Sequence, residues 1–198
     1  MGTPGLAHPS QNGPSGPGAA VVNQAGRGFM YGPGLTDPIR QGLGTAAPGS
    51  PGQVRAFQFV LTQEITITKV TVDITTADVA NPPLGIAIYS ADGQTKLLDA
   101  EFTTTTAIAF VTVTISAVIL PPGVYWFAQA YGSAGTTAAF EVLSSSPVLA
   151  QILNFANNRQ IIPTTSYGAS GPMPATLGTI AAATPLTSGQ AIVAVFEP

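Results

Sequence analysis

The chain has no cysteine, a single histidine and few charged residues. Disulfides and thiolate metal sites are therefore excluded, and His8 lies in a Pro- and Gly-rich stretch that cannot position a catalytic base. Charged residues make up 8% of the 198 residues, against roughly 25% in an average soluble domain. The six basic residues are scattered and the net charge is −3, so the sequence predicts no nucleic-acid partner.

Secretion signals and membrane spans are missing as well. Residues 1–20 contain no basic start followed by an apolar stretch, which a signal peptide requires. The longest apolar candidate, Ala107 to Leu120, is interrupted by three hydroxyl residues and is too short for a transmembrane helix. We expect a protein that is made in a cytoplasm and does not insert into a membrane.

Uncharged polar residues take the place of the missing charges. The chain holds 24 Thr, and Ser, Gln and Asn supply the rest of the polar surface, while hydrophobic residues reach 45%. Such a surface repels its neighbours only weakly, so close packing against other chains is favoured. The alternative is a monomer that its hydroxyl groups keep in solution.

Residues 1–52 differ in composition from the rest, with 13 of the 22 Gly and 8 of the 18 Pro. Because Pro removes backbone donors and Gly raises the entropy cost of order, we expect an extended arm without helix or interior strand. Aromatic and aliphatic anchor residues interrupt it. They favour an arm that becomes ordered when it contacts a partner, and the alternative is a loose tail. The anchors are Val21, Val22, Phe29, Met30, Tyr31, Leu35 and Ile39.

From residue 53 onward short runs with a period of two predict an all-β domain, an antiparallel β-sandwich or jelly roll of about eight strands. The apolar phase of 64–74 switches near Lys69, which indicates a β-bulge, and the nearly continuous apolar run 124–131 is typical of a central strand. A long loop is expected at about 147–185, with one helical turn over 148–154. The predicted strands are 55–61, 64–74, 84–89, 97–103, 108–115, 124–131, 138–143 and 192–196.

Catalytic and cofactor chemistry finds little support in the residues. Neither a phosphate-binding loop nor the 1-3-5 acidic spacing of a calcium loop is present. Glu64 and Glu101 could act as a glycosidase pair, but ordinary strand-end charges explain them better. We therefore predict no enzyme, no cofactor, no metal and no catalytic residue.

Glycan binding is the stronger alternative, because sugars stack on exposed aromatic rings beside amide and hydroxyl groups. The candidate platform consists of Trp126, Tyr131 and Tyr167. Strand alternation sends Tyr125 and Trp126 to opposite faces, so at least one of them belongs to the core. A buried Trp126 is favoured, since continuous apolar strands are usually covered on both faces.

Several motifs, in their order and spacing, resemble a β-sandwich domain that recurs in structural proteins of tailed bacteriophages. The resemblance covers about residues 53–198. The sequence departs from it at Ala87 and in its Gly/Pro arm, which replaces the large upstream domains of long fibres. The motifs are ITKVTVDITT (67–76), GIAIYSADG (85–93), KLLDA (96–100), LPPGVYW (120–126) and the late loop with Tyr167, Gly168, Ala169, Pro172 and Pro174.

The resemblance implies a non-enzymatic virion component, such as a head decoration, a fibre or a tail-attached protein. Its partners would be other capsid or tail proteins and sister subunits, in a homo-oligomer for which a trimer is one form. The arm would anchor the chain and the sandwich would be exposed. The alternative is a receptor- or glycan-binding module of a tail fibre that touches the host surface.

Overall fold

The computed structural model folds into two antiparallel β-sheets packed face to face, so the predicted all-β sandwich is confirmed. Among the described residues no helix is long and apolar enough to cross a bilayer. The structure describes residues 22–23, 29–31, 43–47, 49–61, 63–103, 106–135, 137–144, 160–169, 171–185 and 190–198.

Fourteen strands and one 3₁₀ turn, Ile180–Ala182, occur in the described part of the chain. Each of the eight predicted strands has a counterpart, and the last one is divided in two at Val193. The strands are β1 Val22–Asn23, β2 Phe29–Tyr31, β3 Leu43–Ala46, β4 Val54–Leu61, β5 Ile65–Thr76, β6 Leu84–Ser90, β7 Lys96–Phe102, β8 Ala109–Leu120, β9 Gly123–Tyr131, β10 Ala139–Ser144, β11 Gln160–Ile162, β12 Thr184–Pro185, β13 Gln190–Ile192 and β14 Ala194–Glu197.

The strands divide into an eight-stranded sheet, here sheet 1, and a six-stranded sheet, here sheet 2. Sheet 1 has the order β1-β2-β14-β5-β10-β13, with β3 beside β10 and β8 beside β5. Sheet 2 has the order β12-β11-β4-β9-β6-β7. The predicted central strand β9 lies between β4 and β6, as expected for its continuous apolar sequence.

The main core fills the space between the sheets. Strand alternation points every second side chain of β4, β6 and β9 toward sheet 1, and Phe57, Ile86 and Phe127 are fully buried there. Phe196 of β14 meets Phe127 edge-on, with ring centroids 6.3 Å apart. Gln129 also points inward, and its Oε1 accepts the backbone N–H of Ile192 at 2.8 Å, which ties the two sheets together.

A second core lies on the outer face of sheet 2, which a sandwich usually exposes to water. The segment from 163 to 183, here called the strap, crosses this face and buries Tyr167, Met173 and Leu177 against it. The covered strands offer mostly small side chains, which lets the strap approach closely. They are Ala56, Ala87, Ala128 and Ala130, with the larger Val54, Tyr89 and Trp126 between them.

The predicted bulge is confirmed. The register between β5 and β8 shifts between Ile67 and Lys69, where three β8 residues, 115–117, stand opposite one β5 residue. Ile67 and Val70 of β5 are both buried although their spacing is odd, so the apolar phase of β5 switches at this irregularity.

Two predicted turns are present where the motifs placed them. Gly93 has a φ of 72°, which an L side chain rarely adopts, and its N–H donates to Ser90 at 2.8 Å across the turn between β6 and β7. Pro121 and Pro122 lead the chain from sheet 1 into sheet 2, and the Tyr125 hydroxyl donates to the Pro121 carbonyl at 2.7 Å.

The expectation that residues 1–52 contain no interior strand is wrong. Backbone pairing places β2 between β1 and β14, with Met30 opposite Val195, and β3 alongside β10. The Phe29–Tyr31 run has neither Gly nor Pro, and the open backbone groups of β14 offer it a ladder. The helical turn predicted at 148–154 lies outside the described residues.

Gly85 provides a test of how the strap is seated. A methyl group at Gly85 would stand 2.5 Å from Met173 Sδ and 3.1 Å from a Tyr167 ring carbon. We expect Gly85→Ala to lower the free energy of unfolding by about 1–3 kcal/mol through overpacking, and Met173→Ala by about 2–5 kcal/mol through a cavity.

The double variant should lose less than the sum of the single losses, because the new methyl group fills part of the space that Met173 leaves. Urea unfolding of all four chains measures this coupling. Strictly additive losses would show that the strap does not bear on Gly85.

Candidate functional site

The aromatic residues of the predicted glycan platform are in the interior. Trp126, Tyr131 and Tyr167 are 2%, 2% and 3% exposed, so they present no open ring face to a sugar and the platform prediction is corrected. The Trp126 indole N–H donates to the Ala91 carbonyl at 2.9 Å, and the Tyr131 hydroxyl donates to Asp78 Oδ2 at 2.6 Å. Tyr125, on the opposite face from Trp126, is buried too.

Two tyrosines at the contact between the strap and sheet 2, Tyr89 on β6 and Tyr167 in the strap, differ in how their hydroxyl groups are satisfied. The Tyr89 hydroxyl donates to the Pro174 carbonyl at 2.7 Å, whereas the buried Tyr167 hydroxyl has no hydrogen-bond partner among the described residues. Burial raises the pKa of both side chains above the ordinary tyrosine value, with a smaller contribution from nearby carboxylates. Both groups therefore stay neutral in the folded protein at neutral pH.

The charged residues of β7 hold the strap in place. Lys96 Nζ forms an ion pair with Asp99 and donates to the Met173 carbonyl at 2.6 Å. Asp99 Oδ1 accepts the Met173 N–H at 3.3 Å, and Glu101 Oε1 accepts the Gly171 N–H at 3.2 Å. Glu101, one of the two candidate glycosidase carboxylates, thus has a structural contact in the fold.

Metal binding finds no site in the part of the chain that the structure describes. No group of three or more His, Cys, Asp or Glu side chains there could hold an ion. Asp78, which is fully buried, accepts hydrogen bonds from the Ala80 and Thr137 N–H groups as well as from Tyr131. Its environment is that of a carboxylate that fixes loops rather than one that faces a substrate.

The structure describes four of the seven predicted anchor residues of the arm. Val21, Leu35 and Ile39 lie outside the described residues. Val22 belongs to β1, and Phe29, Met30 and Tyr31 form β2. The backbone of β2 is paired with β14 of the same chain and with β1, so these four positions lie in strands of sheet 1.

The outer edge of sheet 1 has the surface properties of a contact site. The twelve-residue strand β8 pairs with β5 along one side, and no described strand pairs with its other side. Phe110 is 76% exposed, Ile108 just before the strand 70%, and Ile119 61%. No other described large apolar residue except the turn residue Val79 is as exposed as these three.

Exposed and core-facing positions alternate along β8. Val111, Val113 and Ile115 pack against the main core. The outward face carries Phe110, then Thr112, whose hydroxyl lies 2.8 Å from that of Thr71 on β5. The strand holds no Lys, Arg, Asp, Glu, Gly or Pro.

The sequence of the run 108–115 carries a signal for this edge. Apolar residues occupy both phases of that run, with Ile108 and Phe110 in one phase and Val111, Val113 and Ile115 in the other. A strand that is apolar on both faces is either central or covered by a partner. The strand pairing decides between these alternatives: among the described strands β8 pairs with β5 and no other, so β8 is not a central strand.

Comparison of the chain with protein-family models, with curated protein sequences and with solved structures gives no match. No comparison supports the resemblance to phage sandwich domains that the sequence suggested, and it depends on the late loop around Tyr167 and on the motifs at 67–76, 85–93, 96–100 and 120–126. In the structure these motifs form β5, the β6–β7 hairpin and the corner leading into β9.

The two tyrosines at the contact between the strap and sheet 2 give a matched pair of substitutions. Tyr89→Phe should lower the free energy of unfolding by about 0.5–1.5 kcal/mol, the usual contribution of one hydrogen bond. Tyr167→Phe should be neutral or stabilising, because it removes a buried hydroxyl that has no protein partner. Urea unfolding at neutral pH measures both, and a larger loss for Tyr167→Phe would contradict the described geometry.

The raised pKa values also predict loss of stability in alkali. Tyrosines in the unfolded chain ionise near pH 10, whereas the two buried ones resist ionisation. Their stabilisation is therefore complete below that pH and is lost as the pH rises toward their folded-state pKa values. Tyr167→Phe should make the decline of unfolding free energy above pH 10 less steep than in the wild type, whereas an unchanged slope would contradict the pKa shift of Tyr167.

Proposed function

We propose that the protein is a non-catalytic structural subunit of a bacteriophage particle, as a head decoration, a fibre or a tail-attached protein. The observation that carries the proposal is the exposed, uncharged β8 edge, with Phe110 and Ile119 open to solvent. Apolar surface of this kind marks a contact site for another protein. Because the motifs of this sandwich resemble those of phage structural domains, we propose that the partner protein belongs to a virion.

The low charge of the whole chain supports the same conclusion. Nine acidic and six basic residues are spread over 198 positions, so neighbouring copies repel one another little. On this proposal the partners are capsid or tail proteins and sister subunits. The protein is made in the host cytoplasm and ends in the particle.

The strap contributes rigidity to this proposed role. It covers the outer face of sheet 2 with Tyr167, Met173 and Leu177 and joins that face through β7 side chains. A domain with both faces of its central strand buried keeps its shape when it is packed against neighbours. The tasks proposed for the exposed surfaces then fall to the β8 edge and to the start of the chain.

The anchoring role proposed for residues 1–52 is narrowed by the pairing of β1, β2 and β3. Removing all 52 residues would take away three strands of sheet 1 and would confuse loss of anchoring with loss of folding. Residues 1–20 precede every described strand. We assign the anchor to this shorter segment.

Particle association is the direct test. Particles are purified on density gradients from lysates of the phage that encodes the chain, and the chain is followed by mass spectrometry and immunoblotting. We expect it to co-sediment with the particles in many copies. Recovery only at the top of the gradient would contradict the proposed function.

The anchor is tested by supplying tagged chains during infection. The chain without residues 1–20 should keep the wild-type unfolding midpoint and yet fail to enter particles. The tagged full-length chain is the control. Normal incorporation of the shortened, folded chain would exclude residues 1–20 as the anchor.

A further inference from the structure

We propose that β8 pairs with β8 of a second copy of this chain, antiparallel and about a two-fold axis, to form one sheet across two subunits. This inference rests on the proposed assembly function. It names a second copy of the chain as the partner at the β8 edge. Three features of β8 favour this pairing: the open backbone of its edge, its lack of protection against pairing, and a register that suits two identical strands.

The backbone of β8 is available for pairing. In an antiparallel ladder every second residue turns both its N–H and its C=O away from the partner strand. With β5 on one side, the other side of β8 presents such groups on either side of the bulge, and no described strand pairs with them, although β7 of sheet 2 packs close to β8 across the core. The side chain of Phe110, at 76% exposure, shows that the outer face of the sheet is uncovered beside this edge.

Protection against pairing is present on the neighbouring edge and absent on β8. Natural edge strands avoid association through charges, Pro, bulges or short length. The edge strand β7 of sheet 2 carries Lys96, Asp99 and Glu101 within seven residues. Strand β8 has no charge and no Pro, and its one bulge leaves Ala109–Thr114 in regular register with Ile74–Lys69 of β5.

A second copy fits this edge because the regular segment is nearly symmetric about Thr112. Pairing with Thr112 opposite Thr112 places Phe110 opposite Thr114 on the outer face and Val111 opposite Val113 on the core face. Hydroxyl groups meet at the axis, as Thr71 and Thr112 already do within one subunit at 2.8 Å. The contact is isologous and closes as a dimer.

The charges next to the edge favour the same register. Lys69 stands beside Thr114 and Asp73 beside Phe110 on β5. With Thr114 opposite Phe110 of the second copy, each row of side chains across the joined sheet ends in Lys69 on one side and Asp73 on the other. At three strand spacings, roughly 14 Å, their attraction is weak and largely screened by salt, so it favours this register only slightly and the strands supply the affinity.

Opposite charges at the axis test both the pairing and the register. The full chain should be a dimer by analytical ultracentrifugation in the micromolar range. Thr112→Lys and Thr112→Glu should each be monomeric, because the two-fold axis places like charges directly opposite each other. An equimolar mixture of the two variants should recover the dimer.

Thr95→Lys, in the exposed turn between β6 and β7, is the matched control and should remain a dimer. Circular dichroism spectra like that of the wild type and cooperative unfolding show that the variants are folded, since loss of dimerisation by itself lowers the unfolding midpoint. A monomeric wild type, dimeric single Thr112 variants or a mixture that stays monomeric would each overturn the proposal. A monomer that nevertheless co-sediments with particles would overturn this inference alone and leave the proposed function intact.

The absence of native cysteine permits a second readout. Thr112→Cys should form an interchain disulfide under mild oxidation, because facing residues in antiparallel strands lie within the Cα distance that a disulfide spans. Thr95→Cys is the control. Crosslinking at position 112 no faster than at position 95 would exclude the two-fold register.

Discussion

The fold depends on the burial of β9 on both of its faces. Phe127 and Trp126 are neighbours in sequence and point in opposite directions, yet both are at most 2% exposed. A strand of this kind requires two covering layers, because each apolar face left in water would cost hydrophobic free energy. Sheet 1 provides one layer and the strap provides the other. With the strap as the second cover, the domain has three layers: sheet 1, sheet 2 and the strap.

The need to seat the strap explains the motif residues that might be mistaken for a site. Gly85 leaves room for Met173, and Gly93 combines a left-handed turn with close contact to Ile180. Asp99 and Glu101 accept backbone N–H groups of the strap. These residues serve packing, and the motifs at 85–93 and 96–100 are therefore parts of a scaffold.

The two sheets end very differently on the side where β7 and β8 lie. The β7 edge is short, charged and attached to the strap through Lys96, whereas β8 is long, neutral and apolar at Phe110 and Ile119. A protein with so few charges cannot rely on net repulsion to keep its edges apart. The contrast suits a subunit that is closed on one edge and open to assembly on the other, which is the sense of the proposed function.

The sequence by itself determined the fold class, eight strands, the bulge near Lys69, the Asp92–Gly93 turn and the central position of β9, because these follow from local periodicity and turn chemistry. It did not determine the partners of distant segments. Tertiary structure alone decided that Phe29–Tyr31 pairs with β14, that the strap buries Trp126 and Tyr167, and that β8 lies at an edge. An alternating pattern indicates which side chains are buried, but it does not indicate which segment buries them, because that depends on pairing between segments distant in sequence.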